Sequence, residues 1–160
     1  MKKIYSKLAR FVTFVTLPII GLIVHNSRRV RVVVLAEDQI LLQRTSVGAQ
    51  KWSIPGGGVE RHETDEQAVV RELAEEVGLK VKTGQIKKIG EDYRAGSRHK
   101  RWPRFTRVYF VIRLPRRVEP KITRPLEILE AQWFLLSDLP QEGNATLETA
   151  LKLLSRTSRA

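Results

Sequence analysis

The chain has 160 residues, 42% of them apolar and 29% charged, which suits one packed domain and argues against both a second domain and wholesale disorder. It has no cysteine, which excludes disulfides, thiolate metal sites and a cysteine nucleophile; the scattered histidines 25, 62 and 99 make no zinc site, so any metal is expected to be hard and oxygen-bound. Lys plus Arg number 29 against 17 Asp plus Glu, a net charge of +12, which favours anionic partners such as polyphosphates, nucleic acid or an acidic membrane surface without choosing among them.

Residues 2 to 17 read as a helix with Ile4, Leu8, Phe11, Val12 and Val15 on one side and Lys2, Lys3, Lys7 and Arg10 on the other. Pro18 disfavours helical geometry at Leu17, so the helix is expected to stop or kink there. A further apolar stretch, Ile19 to Val24, leads into His25-Asn26-Ser27-Arg28-Arg29. As one helix, the uncharged run from Phe11 to Val24 would reach about 21 Å, short of the roughly 30 Å hydrocarbon core. No small-x-small cleavage site follows it, as a signal peptide would need. Residues 1–27 are thus set apart as a basic amphipathic arm, and three readings stay open for it: packed on the domain, lying on a membrane surface, or spanning a membrane.

From Arg31 the pattern changes. Val32 to Leu35 and Ile40 to Leu42 predict two strands joined by a tight turn, and Trp52-Ser53-Ile54 precedes a forced turn at Pro55-Gly56-Gly57-Gly58. Thr64 to Glu76 predicts the best helix of the chain, with Thr64 as N-cap, Gln67 closing a capping box and Gly78 at the end. Further strands are expected over Gln85–Ile89, Arg107–Leu114 and Ala131–Leu135, and a last helix over Ala145–Leu154. No repeat or linker divides residues 28–160.

At 3.6 residues per turn, Val69, Val70, Leu73, Ala74 and Val77 share one face of the central helix. Arg71, Glu72, Glu75 and Glu76 gather on the other. Like charges four residues apart destabilise a helix, and carboxylates near its C-terminal end oppose the macrodipole. A divalent cation held by those oxygens would remove the repulsion.

The spacing extends the pattern. Gly57, five residues, Glu63, seven residues, then Arg71-Glu72-Leu73-Ala74-Glu75-Glu76-Val77-Gly78-Leu79 resembles the box of the Nudix (MutT-like) hydrolase family at every defining position. The lead-in Trp52 to Glu60 is also similar to the family, as is Glu127 to Phe134 followed by Leu139-Pro140. The resemblance implies an α/β fold: a mixed β-sheet sandwiched between helices over residues 28–160, to which the N-terminal helical arm is an addition.

The resemblance also implies roles. Glu72, Glu75 and Glu76 would bind Mg²⁺ or Mn²⁺, joined by a carbonyl of Gly56 or Gly57, where glycine lets backbone oxygen approach an ion. Arg71 would orient Glu72 and pair with Glu63. The catalytic base would be Glu72 or Glu127, with Glu130 a weaker candidate. The implied reaction is hydrolysis of a diphosphate linkage in a nucleoside diphosphate derivative, in the cytoplasm.

From Tyr93 to Val118 there is no acidic residue, and basic residues alternate with Trp102, Phe105 and Tyr109. Arg94, Arg98, Arg104 and Arg107 are the candidates to grip phosphates of the substrate. The same composition suits RNA binding, and equally a charged surface loop followed by a strand with buried aromatics. The rival to a small-nucleotide hydrolase is therefore an RNA-binding or membrane-associated module on the same fold, acting on capped RNA or a lipid-linked diphosphate. Where some Nudix subfamilies carry a proline or tyrosine associated with ADP-ribose or dinucleoside polyphosphates, this chain reads Arg94-Ala95-Gly96-Ser97, and no coenzyme A-type extension is present. Nothing in the sequence points to an oligomeric state.

Overall fold

The structure, a computed structural model, describes residues 27–46, 50–94 and 104–157. Of the arm expected over residues 1–27, residues 1–26 lie outside the described residues, as does Arg98 with its neighbours, and Ser27 is the first residue of a strand. Strand β1 (Ser27–Ala36) turns at Glu37-Asp38 into β2 (Gln39–Thr45), and β3 is the short Trp52–Ser53. Helix α1 (Asp65–Val77) follows, then a single 3₁₀ turn (Thr83–Gln85), β4 (Lys87–Arg94), β5 (Phe105–Leu114), β6 (Ile128–Leu135) and α2 (Ala145–Thr157).

The six strands form one mixed sheet in the order β3-β2-β1-β5-β4, with β6 on the other edge of β2. β1 and β5 run parallel along their whole length, from Ser27↔Phe105 to Ala36↔Leu114, and the remaining pairs are antiparallel. β1 and β2 stay together only at the hairpin, pairing Leu35 with Ile40 and Ala36 with Gln39, and then diverge. Residues 52–59 fill the wedge between them. Trp52-Ser53 pairs with β2, and the chain then crosses to β1, where Val32 donates to Pro55 O at 3.0 Å, Val30 to Gly57 O at 2.9 Å and Val59 to Arg28 O at 2.9 Å.

Period-two alternation gives the sheet two buried faces. Val30, Val32, Val34, Leu41, Val108, Phe110 and Ile112 pack under α1, meeting Ala68, Val69, Leu73 and Val77. Val33, Leu35, Ile40, Leu42, Tyr109 and Val111 pack under α2, meeting Leu147 and Ala150. The sheet is thus sandwiched between helices. Val69, Leu73 and Val77 are fully buried, worth roughly 1.5–3 kcal/mol apiece. These contacts anchor α1 so that its opposite, acidic face has a fixed position.

The start of α1 is set locally. The Thr64 hydroxyl accepts from Gln67 N at 3.2 Å and Gln67 Oε1 accepts from Thr64 N at 2.8 Å, a reciprocal cap. α2 starts similarly, with Asn144 Oδ1 accepting from the amides of Thr146 and Leu147, both at 3.0 Å. Strands β1, β5 and β6 begin earlier than sequence alternation predicts, because their first residues pair with distant strands. The strand expected from Gln85 begins at Lys87, since the 3₁₀ turn takes Gln85. Among the described residues no helix is long and apolar enough to cross a membrane.

Candidate active site

Arg71 organises the acidic face of α1. Its guanidinium donates to Glu63 through Nε and Nη2 at 2.9 and 3.0 Å, and to Glu72 and Glu75 through Nη1 at 3.0 and 3.2 Å. Nη2 also reaches the Gly58 carbonyl at 2.8 Å. One planar cation therefore ties the helix to the loop before it, which a lysine could not do with the same fork. The hydrogen bond from Arg71 holds the Glu63 carboxyl below the usual range, and the same bond raises Arg71.

Glu76 is buried beside Glu72 and, among the described residues, makes no ion pair. Its Oε2 accepts from Gln43 Nε2 and from the Gly56 amide, both at 2.8 Å. Burial pushes it up to about 7, against the two hydrogen bonds, which favour the charged form. Glu72 is raised as well, by burial, although Arg71 offsets part of the effect. Glu75 is turned outward to Arg124, which donates to its Oε2 and also lies 3.5 Å from Glu127 Oε2. Glu127 is 61% exposed at its side chain, in the turn leading into β6, and Arg124 brings it to the side of Glu75. Glu130 pairs with Arg44 at 3.4 Å.

The glycine loop permits this closeness. Gly56 has φ 129°, and a Cβ there would overlap the Val30 carbonyl. A Cβ on Gly57 would occupy the place of the Glu72 carboxylate. The peptide is held from both sides: Gly56 N–H donates to Glu76, and Gly56 O accepts from Arg31 Nη1. Gly57 O accepts from Val30 N. Each of the two carbonyls therefore keeps one lone pair.

The remaining predicted residues divide. Arg94 and Arg104 are exposed, at the end of β4 and the start of β5. Arg107 is buried, its guanidinium committed to the Asp92 carboxylate through Nε (2.8 Å) and Nη2 and to Thr146 Oγ1 at 2.9 Å. It serves as a tie between β5, β4 and α2, with no donor turned to the acidic face of α1. The sequence reading overlooked Gln43, Arg124 and the pair Arg29 and Arg31. The alternation Arg29-Val30-Arg31-Val32, which puts both arginines on one strand face, was the signal for the last two.

Two buried carboxyls beside a glycine loop, with oxygen donors only, fit a hard cation. As placed, Glu72 faces Arg71 and Glu75 faces Arg124, and among the described residues no three acidic or histidine side chains converge on one point.

A model of the NUDIX domain matches residues 25–154, which spans the box, the loop, α1 and most of α2. The chain belongs to the Nudix family. Relatives of this Nudix chain include the RNA pyrophosphohydrolase of Marinomonas sp. (strain MWYL1), 37% identical over 109 residues, 68% of this chain and 58% of that protein. The RNA pyrophosphohydrolase of Photobacterium profundum is 36% identical over 121 residues, 75% of this chain and 55% of that protein. The chain thus spans little more than half the length of these relatives. The Nudix fold is also that of the MutT NUDIX hydrolase from Burkholderia pseudomallei, with TM-score 0.71 and 23% identity, covering 81% of this chain and 98% of that one. A bifunctional NMN adenylyltransferase/ADP ribose pyrophosphatase from Francisella tularensis, complexed with AMP and a manganese ion, has TM-score 0.64 and 20% identity, covering 82% and 42%.

Proposed function

We propose that this chain is a Nudix hydrolase that uses Mg²⁺ or Mn²⁺ to cut a diphosphate linkage in a nucleoside diphosphate derivative. The observation that carries the reading is the Glu76 carboxylate, buried beside Gly56 with neutral donors alone and raised by that burial. Glu72, Glu75 and Glu76 would hold the cation, with the free lone pair of the Gly56 or Gly57 carbonyl completing an all-oxygen set. When bound, the cation supplies charge neutralisation of the diphosphate oxygens and Lewis-acid assistance to the attacking water. Arg71 and Glu63 fix the rotamer of Glu72 and the height of the loop, so the donors are positioned before substrate arrives. The proton of the attacking water passes to Glu72 or Glu127. Glu72 is held by Arg71 beside the loop, whereas Glu127 is open to solvent and can hand a proton on to bulk water.

A second reading is favoured by the relatives named RNA pyrophosphohydrolase: the substrate is the 5′-polyphosphate end of an RNA, which a net charge of +12 would draw in. The exposed Arg94 and Arg104, at the end of β4 and just before β5, add to the cations that such a chain would meet.

The test is product release from a panel of nucleoside diphosphate derivatives and 5′-triphosphorylated RNA, with Mg²⁺ or Mn²⁺, beside the Glu76→Gln variant. The amide oxygen of glutamine can still accept from Gln43 and Gly56, so the variant is expected to fold. Its turnover is expected to drop by about 10²–10³, the usual cost of losing one electrostatic stabiliser. Near-normal turnover by the variant would sink the assignment.

A further inference from the structure

Every other arginine among the described residues that is buried or half-buried has a carboxylate partner. Arg44 pairs with Glu130 at 3.4 Å, Arg71 with Glu63 at 2.9 Å, Arg107 with Asp92 and Arg124 with Glu75. Arg29 and Arg31 break the rule. They are half-buried at alternate positions of the interior strand β1, and neither makes an ion pair. Arg31 reaches only backbone carbonyls, at Gly56 and Val30, while its Nε is sealed from solvent with no hydrogen-bond partner. The Arg29 side chain has no hydrogen bond among the described residues.

Two neighbouring cations withdrawn from water with no carboxylate in ion-pair contact destabilise the fold, by desolvation and by their mutual repulsion, which the more distant Glu72 and Glu76 carboxylates offset only in part. Burial lowers both guanidiniums, Arg31 to about 10, and the charge of Arg29 adds to the effect on Arg31. Arg29 lies opposite Gly58 in an antiparallel bridge, so the two share a sheet face. A Cβ built on Gly58 meets nothing within 4 Å, so there is open space on that face at Gly58.

We propose that Arg29 and Arg31 form a receptor for one phosphate of the diphosphate substrate, on the far side of the Gly56 peptide from Glu76. The proposal rests on the hydrolase reading and extends it to the residues that recognise the substrate. A phosphate group suits the place because guanidinium forks bind its oxygens bidentately, and two forks match its multiple charge. Gly56 fixes the span: its N–H is on Glu76 and its carbonyl on Arg31, so one phosphate can rest on the arginines while the other lies at the carboxylates.

The probe is inorganic pyrophosphate in the presence of a chelator, titrated calorimetrically into the full chain, so that binding is read without turnover. Arg29→Met is the main variant, since it removes charge but no hydrogen bond. It is expected to bind pyrophosphate at least tenfold more weakly and to melt no lower than wild type, the mark of a charge kept for a ligand rather than for the fold. Arg28→Met, which removes an exposed ion pair with Asp65 at 2.6 Å, is the control and keeps wild-type affinity. If Arg29→Met does not fold, Arg29→Lys carries the test, with the same weakening expected from loss of the fork. No binding by wild type, or a variant affinity within twofold of it, overturns the proposal. Weakened pyrophosphate binding together with silence across the substrate panel would retire the hydrolase reading and leave the receptor. Turnover with unchanged pyrophosphate affinity and unchanged KM in Arg29→Met would do the reverse.

Discussion

At the scale of single residues, Glu76 shows how a site can be held at the expense of stability. Its carboxyl is raised to about 7, chiefly by burial, against 4.5 in the unfolded chain. Between those values the folded state keeps a proton that the unfolded state has released. Metal-free protein is therefore expected to lose stability as pH rises from about 4.5 to 7, by up to about 3 kcal/mol. Glu72, raised by burial too, acts in the same direction. Glu63 is lowered, and its contribution is lost only at more acid pH, as it becomes protonated. Urea midpoints in chelator at pH 5 and pH 8 check this: wild type is expected to be weaker at pH 8, and Glu76→Gln to lose most of the difference. An equal or higher midpoint at pH 8 for wild type would refute the account.

Among elements, the loop of residues 52–59 and helix α1 work as one part, and the two glycines of the loop have separable duties. Gly56→Ala forces a side chain onto a positive φ and into the Val30 carbonyl, so it is expected to cost about 1–3 kcal/mol and lower Tm. Gly57→Ala meets only the end of the Glu72 side chain, so Tm is expected to hold while kcat falls about 10- to 100-fold through the displaced carboxylate. Equal loss of Tm in both variants would remove the distinction. The carboxylate helix, its cap and its apolar face were legible in the sequence because each depends on residues within two turns. The parallel pairing of β1 with β5 was not, since it joins segments far apart in the chain with no local signature. Arg107 reads as a surface grip only while Asp92, its partner across the β4–β5 pair, is left out of account. Arg29 was hidden likewise, because strand alternation was recognised only from Val32, beyond both arginines.

For the molecule as a whole, the excess of positive charge is less informative than where its carboxylates are placed: Asp92, Glu63, Glu75 and Glu130 each pair with a particular arginine, and Arg29 and Arg31 on β1 make no ion pair among the described residues. β1 has a wider consequence. The amides of Val30 and Val32 donate to the glycine loop from the same strand that is laced to β5 along its full length. Peeling the loop away would strip one edge of a strand at the centre of the sheet, so the loop is expected to open late rather than early. Amide exchange at Val30 and Val32 is expected to be as slow as at Val108 and Phe110 in β5, and fast exchange confined to the first pair would show a loop that breathes on its own. A Nudix chain built this way would recognise its substrate with a rigid seat instead of a closing lid.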